Sequence, residues 1–208
     1  MTSERDELQV SAIVLAAGKG SRMGQVKQLI RLGGEPLLAH VLATVRAAGL
    51  NDIIVVLGAA AGEIEKHVAL GGFRLVRNPA YEEGLASSVQ IAISQVPKAS
   101  AAAVIFLADQ PLVLPSTVLA LINAYRESNP VAVVPTYHGH RGLPVVLDRA
   151  LFPRATELKG DEGFRSILHK LNNVIQVEVD DPGIVLDVDT ADDLVQCEEL
   201  FRKRGSAR

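Results

Sequence analysis

The chain has one cysteine, Cys197. No internal disulfide can form from it, and a cysteine-rich zinc site is excluded. Long apolar runs are also missing. The purest, residues 101–108, is far shorter than the roughly 20 residues a helix needs to cross a bilayer. Met1 to Glu7 is polar and partly acidic, so no export signal is expected. There is no excess of positive charge either: 21 Lys and Arg stand against 24 Asp and Glu, for a net charge of −3. Capture of nucleic acid by the surface as a whole is therefore not expected. These absences point to a cytoplasmic protein with neither a membrane nor a nucleic acid as partner.

What is present suits a globular fold. Over 208 residues, 48% are hydrophobic and 22% charged, ordinary values for a folded chain. The length predicts a single domain over 1–208. Short β-branched runs predict buried strands at Val10–Ala16, Asp52–Leu57, Phe73–Val76, Ala103–Leu107 and Val131–Val134. Apolar residues at helical spacing predict helices opening at Pro36, Ala60, Gly84 and Pro115 between them. The Ala103–Leu107 run is the most apolar and is expected at the centre of the sheet. Thr136–Gly142 reads as a turn, and Leu143–Leu147 as an antiparallel edge strand, because Pro144 cannot donate a ladder bond. A helix is expected over Asp161–Leu171, a strand over Val174–Val179, and a last helix over Thr190–Phe201 with Thr190 as its N-cap. Alternating strands and helices predict an α/β fold of Rossmann-like, three-layer α/β/α type. Its sheet should be mostly parallel with an antiparallel strand. Ligands of such sheets sit beyond the carboxyl ends of the strands, where both the segment after Ala16 and the residues after Leu107 fall.

The segment after the first strand interleaves Gly18, Gly20 and Gly24 with Lys19, Arg22 and Lys27. Glycines let backbone N–H groups approach phosphate oxygens, and three cations within nine residues suit a polyphosphate. A glycine-rich turn with solvated cations is the plainer alternative. A Walker A loop fails on spacing, because Gln25 follows Gly24. A dinucleotide loop also fails: the third glycine comes one residue late, and the second strand ends Val56-Leu57-Gly58 without the acid that binds a ribose.

Leu15-Ala16-Ala17-Gly18, Gly20-Ser21-Arg22-Met23-Gly24 and Lys27, followed by Leu37-Leu38, together resemble the opening signature of the MobA-like nucleotidyltransferases. Later segments are similar to one branch of that family. They are Gly84-Leu85-Ala86-Ser87-Ser88, Asp109-Gln110-Pro111, Arg141-Gly142 with Pro144, Gly160-Asp161-Glu162-Gly163 with Arg165, and Asp187-Val188-Asp189-Thr190 with Asp193-Leu194. The branch is the MocA type, the molybdenum cofactor cytidylyltransferases, whose fold is that of the nucleotide-diphospho-sugar transferases. The resemblance implies transfer of CMP from CTP to molybdopterin with release of pyrophosphate and a requirement for Mg²⁺. It implies as partner an apo molybdenum hydroxylase that takes the product. In this family Leu-Ala-Ala-Gly accompanies cytosine, so Ala17 points to CTP rather than GTP. Ala86 and Ala191 depart from the pattern, where a small polar residue and a proline are usual.

Nucleotidyl transfer asks the protein for positioning and charge stabilisation. Asp109 follows the most apolar strand, where an acid has no packing role, and it is the first candidate for a metal ligand. Asp187 and Asp189 alternate about Val188 and point the same way in an extended segment, so Asp189 can join Asp109 while Asp187 lends support. The plainer roles are a turn cap for Asp109 and a helix cap for Asp189. Arg22 is expected to grip the β- and γ-phosphates through its guanidinium fork, and Lys27 the α-phosphoryl oxygens. Leu15, Ala16, Ala17, Gly18 and Gly20 would face the nucleoside. Gly84, Ser87 and Ser88 would face a phosphate at a helix N-terminus, with an N-cap as the alternative for the serines. Arg141, Gly142, Pro144, Asp161, Arg165 and Asp187 are the candidates on the acceptor side, although an i,i+4 ion pair is the ordinary role for Asp161 and Arg165. Cys197 reads as packing.

The rival readings are three. One is the same reaction on another acceptor: a sugar phosphate, a methylerythritol-type alcohol or another small phosphate. The second is an NAD(P)-dependent oxidoreductase, against which stand the missing ribose acid and the lack of a Tyr-x-x-x-Lys pair. The third is a non-catalytic carrier of the cofactor.

Overall fold

A computed structural model describes residues 8–18 and 25–206. Strand β1 (Val10–Ala16) is buried along its whole length. It pairs in parallel with β4 (Ile53–Leu57) on one side and β6 (Ala102–Leu107) on the other. Apart from Ser11 in β1, these strands are apolar throughout because helices cover both of their faces, as parallel sheets require. The sheet order runs β10, β7, β9, β6, β1, β4, β5. Here β5 is Arg74–Arg77, β7 Ala132–Tyr137, β9 Val145–Asp148 and β10 Val174–Glu178. The Ala102–Leu107 strand is thus central, as its composition predicts. A two-stranded hairpin, β2 (Arg31–Leu32) with β3 (Glu35–Pro36), stands apart from this sheet.

Residues of β1 alternate between two apolar clusters, one on each side of the sheet. Ala12, Val14 and Ala16 pack with α1 (Leu37–Ala47), α2 (Ala61–His67) and α4 (Pro115–Ser128). Ile13 and Leu15 pack with α3 (Leu85–Ser94), the 3-10 turns of 149–157, and α5 (Arg165–Leu168). This is the three-layer arrangement that the alternation of elements predicts. A third, smaller cluster joins Ile30, Leu32, Leu37, Leu112 and Val188 to Cys197 of α6 (Ala191–Ser206). Cys197 is fully buried, and burial pushes its thiol up to about 11. Among the described residues no helix is long and apolar enough to cross a membrane.

Three expectations need correction. The strand predicted at the edge over Leu143–Leu147 is an interior strand, β9, antiparallel to both β6 and β7. Pro144 precedes the strand rather than sitting in it, so no ladder bond is lost. The helix predicted over Asp161–Leu171 is reduced to the four residues of α5, and Asp161 lies on a turn with Gly160 at φ +55°. Much of the turn predicted at Thr136–Gly142 is strand: β7 runs to Tyr137 and pairs with β8 (His140–Arg141), leaving His138 and Gly139 as the reversal, both at positive φ.

Candidate active site

A cleft of about 790 Å³ opens beyond the carboxyl ends of β1 and β6, within the usual range for small-molecule sites. Leu15, Ala17 and Gly18 form the wall at the end of β1; Leu107, Ala108 and Asp109 line the end of β6; Gly84, Leu85, Ser88 and Asp161 complete the lining. Asp187 and Asp189 enter from the segment before α6.

That segment is fastened to the strand ends by backbone as well as side chains. The Val188 N–H donates to the Asp109 carbonyl at 3.0 Å. The Gln110 side-chain amide donates to the Ile184 carbonyl at 3.3 Å and to Asp187 Oδ1. Leu143 N–H also donates to Ile184, and a Cβ on Gly142 would lie 2.2 Å from that same carbonyl oxygen. Only glycine permits that approach. Gly142 and Gln110 therefore share one task, seating the segment that carries Asp187 and Asp189. At the far end Thr190 and Asp193 cap α6 reciprocally. Asp193 Oδ2 accepts from Thr190 N–H at 2.7 Å, and Asp193 N–H donates to Thr190 Oγ1 at 3.2 Å.

Lys27 sits on a three-residue 3-10 turn, Lys27–Leu29. Its ammonium donates to Asp109 Oδ2 and Asp189 Oδ1, each at 2.6 Å. The three residues are 82 and 162 positions apart in sequence. Burial alone would lower the lysine's affinity for its proton. The charge of Asp109 and the hydrogen bonds that the ammonium donates to both carboxylates outweigh that and hold it above the ordinary lysine value. Asp187 is pushed up, chiefly by burial and then by the charge of Asp109, with the Gln110 bond opposing. Asp109 Oδ1 is buried with no hydrogen-bond partner, a costly state for a carboxylate oxygen unless something else satisfies it.

That orphan oxygen, on one of two carboxylates already converging on a single cation, suits a hard divalent ion bound by oxygen. Among the described residues no three His, Cys, Asp or Glu side chains form a ligand cluster by themselves. Such an ion would therefore be shared between the protein, substrate phosphates and water.

Of the residues singled out from sequence, Leu15, Ala17, Gly18, Lys27, Gly84, Ser88, Asp109, Asp161, Asp187 and Asp189 line the cleft. Ala16 stands behind its wall, with its carbonyl turned to Gln28. Ser87 is used locally: it donates to the Ala80 and Gly84 carbonyls at 2.8 Å and accepts from Asn78, which also reaches Ser88. Arg141, Gly142, Pro144 and Arg165 are not in the lining. Gly20 and Arg22 lie outside the described residues. Sequence reasoning passed over Gln28, Tyr81 and Glu82, which line the cleft. Only the place of Gln28, next to Lys27, offered a signal for it. The end of β4 explains the missing ribose acid, since a Cβ on Gly58 would lie 2.3 Å from the Ala17 carbonyl oxygen. Backbone packing takes the place where a dinucleotide fold sets its acid.

Residues 12–174 match the MobA-like NTP transferase domain. The chain is 26% identical over 195 residues to the molybdenum cofactor cytidylyltransferase of Escherichia coli K12, covering 92% of this chain and 97% of that one. It is 28% identical over 193 residues to the nicotine blue oxidoreductase of Paenarthrobacter nicotinovorans, covering 89% and 94%. It is 30% identical over 129 residues to the bifunctional protein GlmU of Staphylococcus haemolyticus, of whose length it spans 28%. Among solved structures, Rv0371c of Mycobacterium tuberculosis H37Rv superimposes with a TM-score of 0.82 at 31% identity, over 92% of this chain and 98% of that one. A structure of Rv0371c complexed with manganese gives 0.78 at 29% identity, over the same shares of the two chains.

Proposed function

The chain belongs to the MobA-like NTP transferase family, and from that premise we propose that it transfers CMP from CTP to molybdopterin in the cytoplasm. The products are pyrophosphate and molybdopterin cytosine dinucleotide, which an apo molybdenum hydroxylase would then receive. The observation that carries this reading is the meeting of Lys27, Asp109 and Asp189 in one cleft at the carboxyl ends of the strands. Support for CTP and molybdopterin comes from Ala17 in the Leu-Ala-Ala-Gly segment and from the similarity to the E. coli cytidylyltransferase.

In the reaction a phosphate oxygen of the acceptor forms a bond to the α-phosphorus of CTP, and the bond from that phosphorus to the bridging oxygen breaks. Pyrophosphate leaves on the opposite side. Lys27, kept protonated, would turn from the carboxylates to the α-phosphoryl oxygens as charge builds there. Arg22 would hold the β- and γ-phosphates. Asp109 and Asp189 would hold Mg²⁺; the manganese complex of Rv0371c supports a divalent ion in this reaction, not its ligands, and when bound the ion supplies charge against the departing pyrophosphate. The backbone of Leu15, Ala16, Ala17, Gly18 and Gly20 would face the nucleoside. Gly84 and Ser88 line the same cleft, with Ser87 bracing that stretch. Asp161 and Asp187 would face the acceptor, and Gly142 with Pro144 would act on that side through the Ile184 segment. Arg141 and Arg165 would need to reach in from outside the lining.

A second reading, an NAD(P)-dependent oxidoreductase, draws on the nicotine blue oxidoreductase relative. The packing of Gly58 against Ala17 speaks against a dinucleotide bound in the usual way. One set of assays separates these readings and a change of acceptor. Pyrophosphate release is measured with molybdopterin, Mg²⁺ and each of CTP, GTP, ATP and UTP, beside NAD(P)H oxidation and an Asp109→Ala control. Release with CTP alone, lost in the control, is the expected result. Binding of CTP without release would reassign the acceptor. Hydride transfer without release would reassign the reaction.

A further inference from the structure

Gln28 sits beside Lys27 on the same 3-10 turn but faces inward, 5% exposed. Its side-chain amide donates one hydrogen bond to the Ala16 carbonyl and one to the Gly18 carbonyl, both at 3.0 Å. Two acceptors facing the nitrogen fix which end of the amide is which. Ala16 ends β1, and Gly18 lies two residues on in the glycine-rich segment. Gln28 thus takes over from the sheet where the strand becomes a loop. A peptide group is planar, with its N–H opposite its C=O. Holding the Ala16 carbonyl therefore turns the Ala17 N–H away from Gln28. The remaining atom, Gln28 Oε1, is buried with no partner. Three buried side-chain atoms lack partners among the described residues, and two of them, Gln28 Oε1 and Asp109 Oδ1, belong to residues that line this cleft. Unpaired buried polar atoms call for an explanation, and their presence in one site points to a ligand.

We propose that Gln28 is a positioning residue for the nucleotide. It clamps the carbonyls on either side of Ala17 so that this wall presents one fixed set of backbone groups to the nucleoside. Its Oε1 is kept for a donor that arrives with the nucleotide. The inference rests on the nucleotidyl-transfer reading and adds to it a residue that sets affinity and base preference. Because the 3-10 turn carries both side chains, the clamp also ties the base wall to the lysine that serves the phosphates.

The test compares wild type with Gln28→Met, which keeps length and burial but removes both donors and the acceptor. Gln28→Glu is the second variant: it keeps the shape and replaces the donors with an oxygen that the two carbonyls repel. Binding of CTP and UTP is measured by calorimetry with Mg²⁺, KM and kcat by pyrophosphate release, and folding by thermal melting. The expected result is a KM for CTP at least tenfold higher in both variants with kcat within threefold, and a reduced preference for CTP over UTP. A proportional loss of kcat with KM unchanged would overturn the proposal. So would unaltered affinity and preference in whichever variant melts cooperatively. If wild type binds no nucleoside triphosphate, the nucleotidyl reading falls and takes this role with it. If wild type binds CTP and the variants bind it equally well, only the role of Gln28 falls.

Discussion

Two aspartates near one end of the molecule are treated in opposite ways. Asp181 is 1% exposed and fully satisfied. Its Oδ2 accepts from Leu114 N–H and Thr117 Oγ1, both at 2.8 Å, and its Oδ1 from Gly183 N–H at 3.0 Å and Arg204 at 2.7 Å. Asp109 gives one oxygen to Lys27 and leaves the other buried and bare. The first carboxylate ties the start of α4 and the end of α6 to the 182–185 turn. The second, in the reaction proposed above, would use its free oxygen on a bound cation. A carboxylate saturated by its own chain serves stability, and one left short in a cleft serves a ligand.

The largest effect that would sharpen this contrast is at Asp181. Asp181→Ala removes the charged partner of a partly buried guanidinium and leaves unmet the two donors at the start of α4, Leu114 N–H and Thr117 Oγ1. Breaking such a buried pair costs about 3–5 kcal/mol. Urea unfolding should show that loss, while the folded fraction keeps its turnover. Equal stability in this variant would break the comparison.

Next in size is Asp109→Ala. A bound metal supplies several kcal/mol of transition-state charge stabilisation, so loss of a carboxylate that holds it should cost roughly 10²–10³ in rate. Pyrophosphate release should fall by that much with the melting temperature little changed. A large fall in melting temperature would put Asp109 in the same class as Asp181.

The two aspartates were unequally legible in sequence, for a physical reason. Asp109 stands out because an acid directly follows the most apolar strand, and that contrast is local. Asp181 has no local contrast. Its role comes from partners 64, 67 and 23 residues away, which only the fold brings together. Gln28 was hidden likewise, since its two carbonyl partners become available only where β1 ends. The strands β1, β4 and β6 were readable because burial on both faces makes them apolar throughout, Ser11 of β1 excepted. The interior place of β9 was not, because a proline beside a strand and a proline inside one look alike in sequence. The R-G-x-P and D-Q-P segments were legible as motifs. That Gly142 and Gln110 both act on Ile184 emerges only from the fold, which brings the three segments together.

A smaller effect concerns Lys27, which stands where a divalent ion would join Asp109 and Asp189. Lys27→Met leaves two facing carboxylates without a cation. Without nucleotide, Mn²⁺ should then bind about tenfold more tightly than to wild type, about 1.4 kcal/mol. Lys66→Met on α2 is the control for net charge. Titration of the Mn²⁺ electron paramagnetic resonance signal measures both. Unchanged affinity would mean that Asp109 and Asp189 do not act together on a cation.

The smallest expected effect uses Cys197 as a reporter of which aspartate anchors α6. Its thiol is buried and raised from 9.0 to about 11, so at pH 8 its thiolate population is about a hundredfold below that of a free thiol. Labelling by an alkylating reagent must therefore go through local opening of α6. Arg204, in the last turns of that helix, is held by Asp181 and by the Leu112 carbonyl, so loosening Asp181 loosens the helix. Asp109 is tied to the segment ahead of α6 by the Val188 N–H and, by way of the Lys27 ammonium, to Asp189. In native buffer Asp181→Ala should speed labelling roughly threefold or more, while Asp109→Ala leaves the rate as in wild type. If both variants label alike, the two carboxylates are not separate in function: the charge cluster at Lys27 would itself be holding α6, and the bare oxygen of Asp109 would belong to the scaffold.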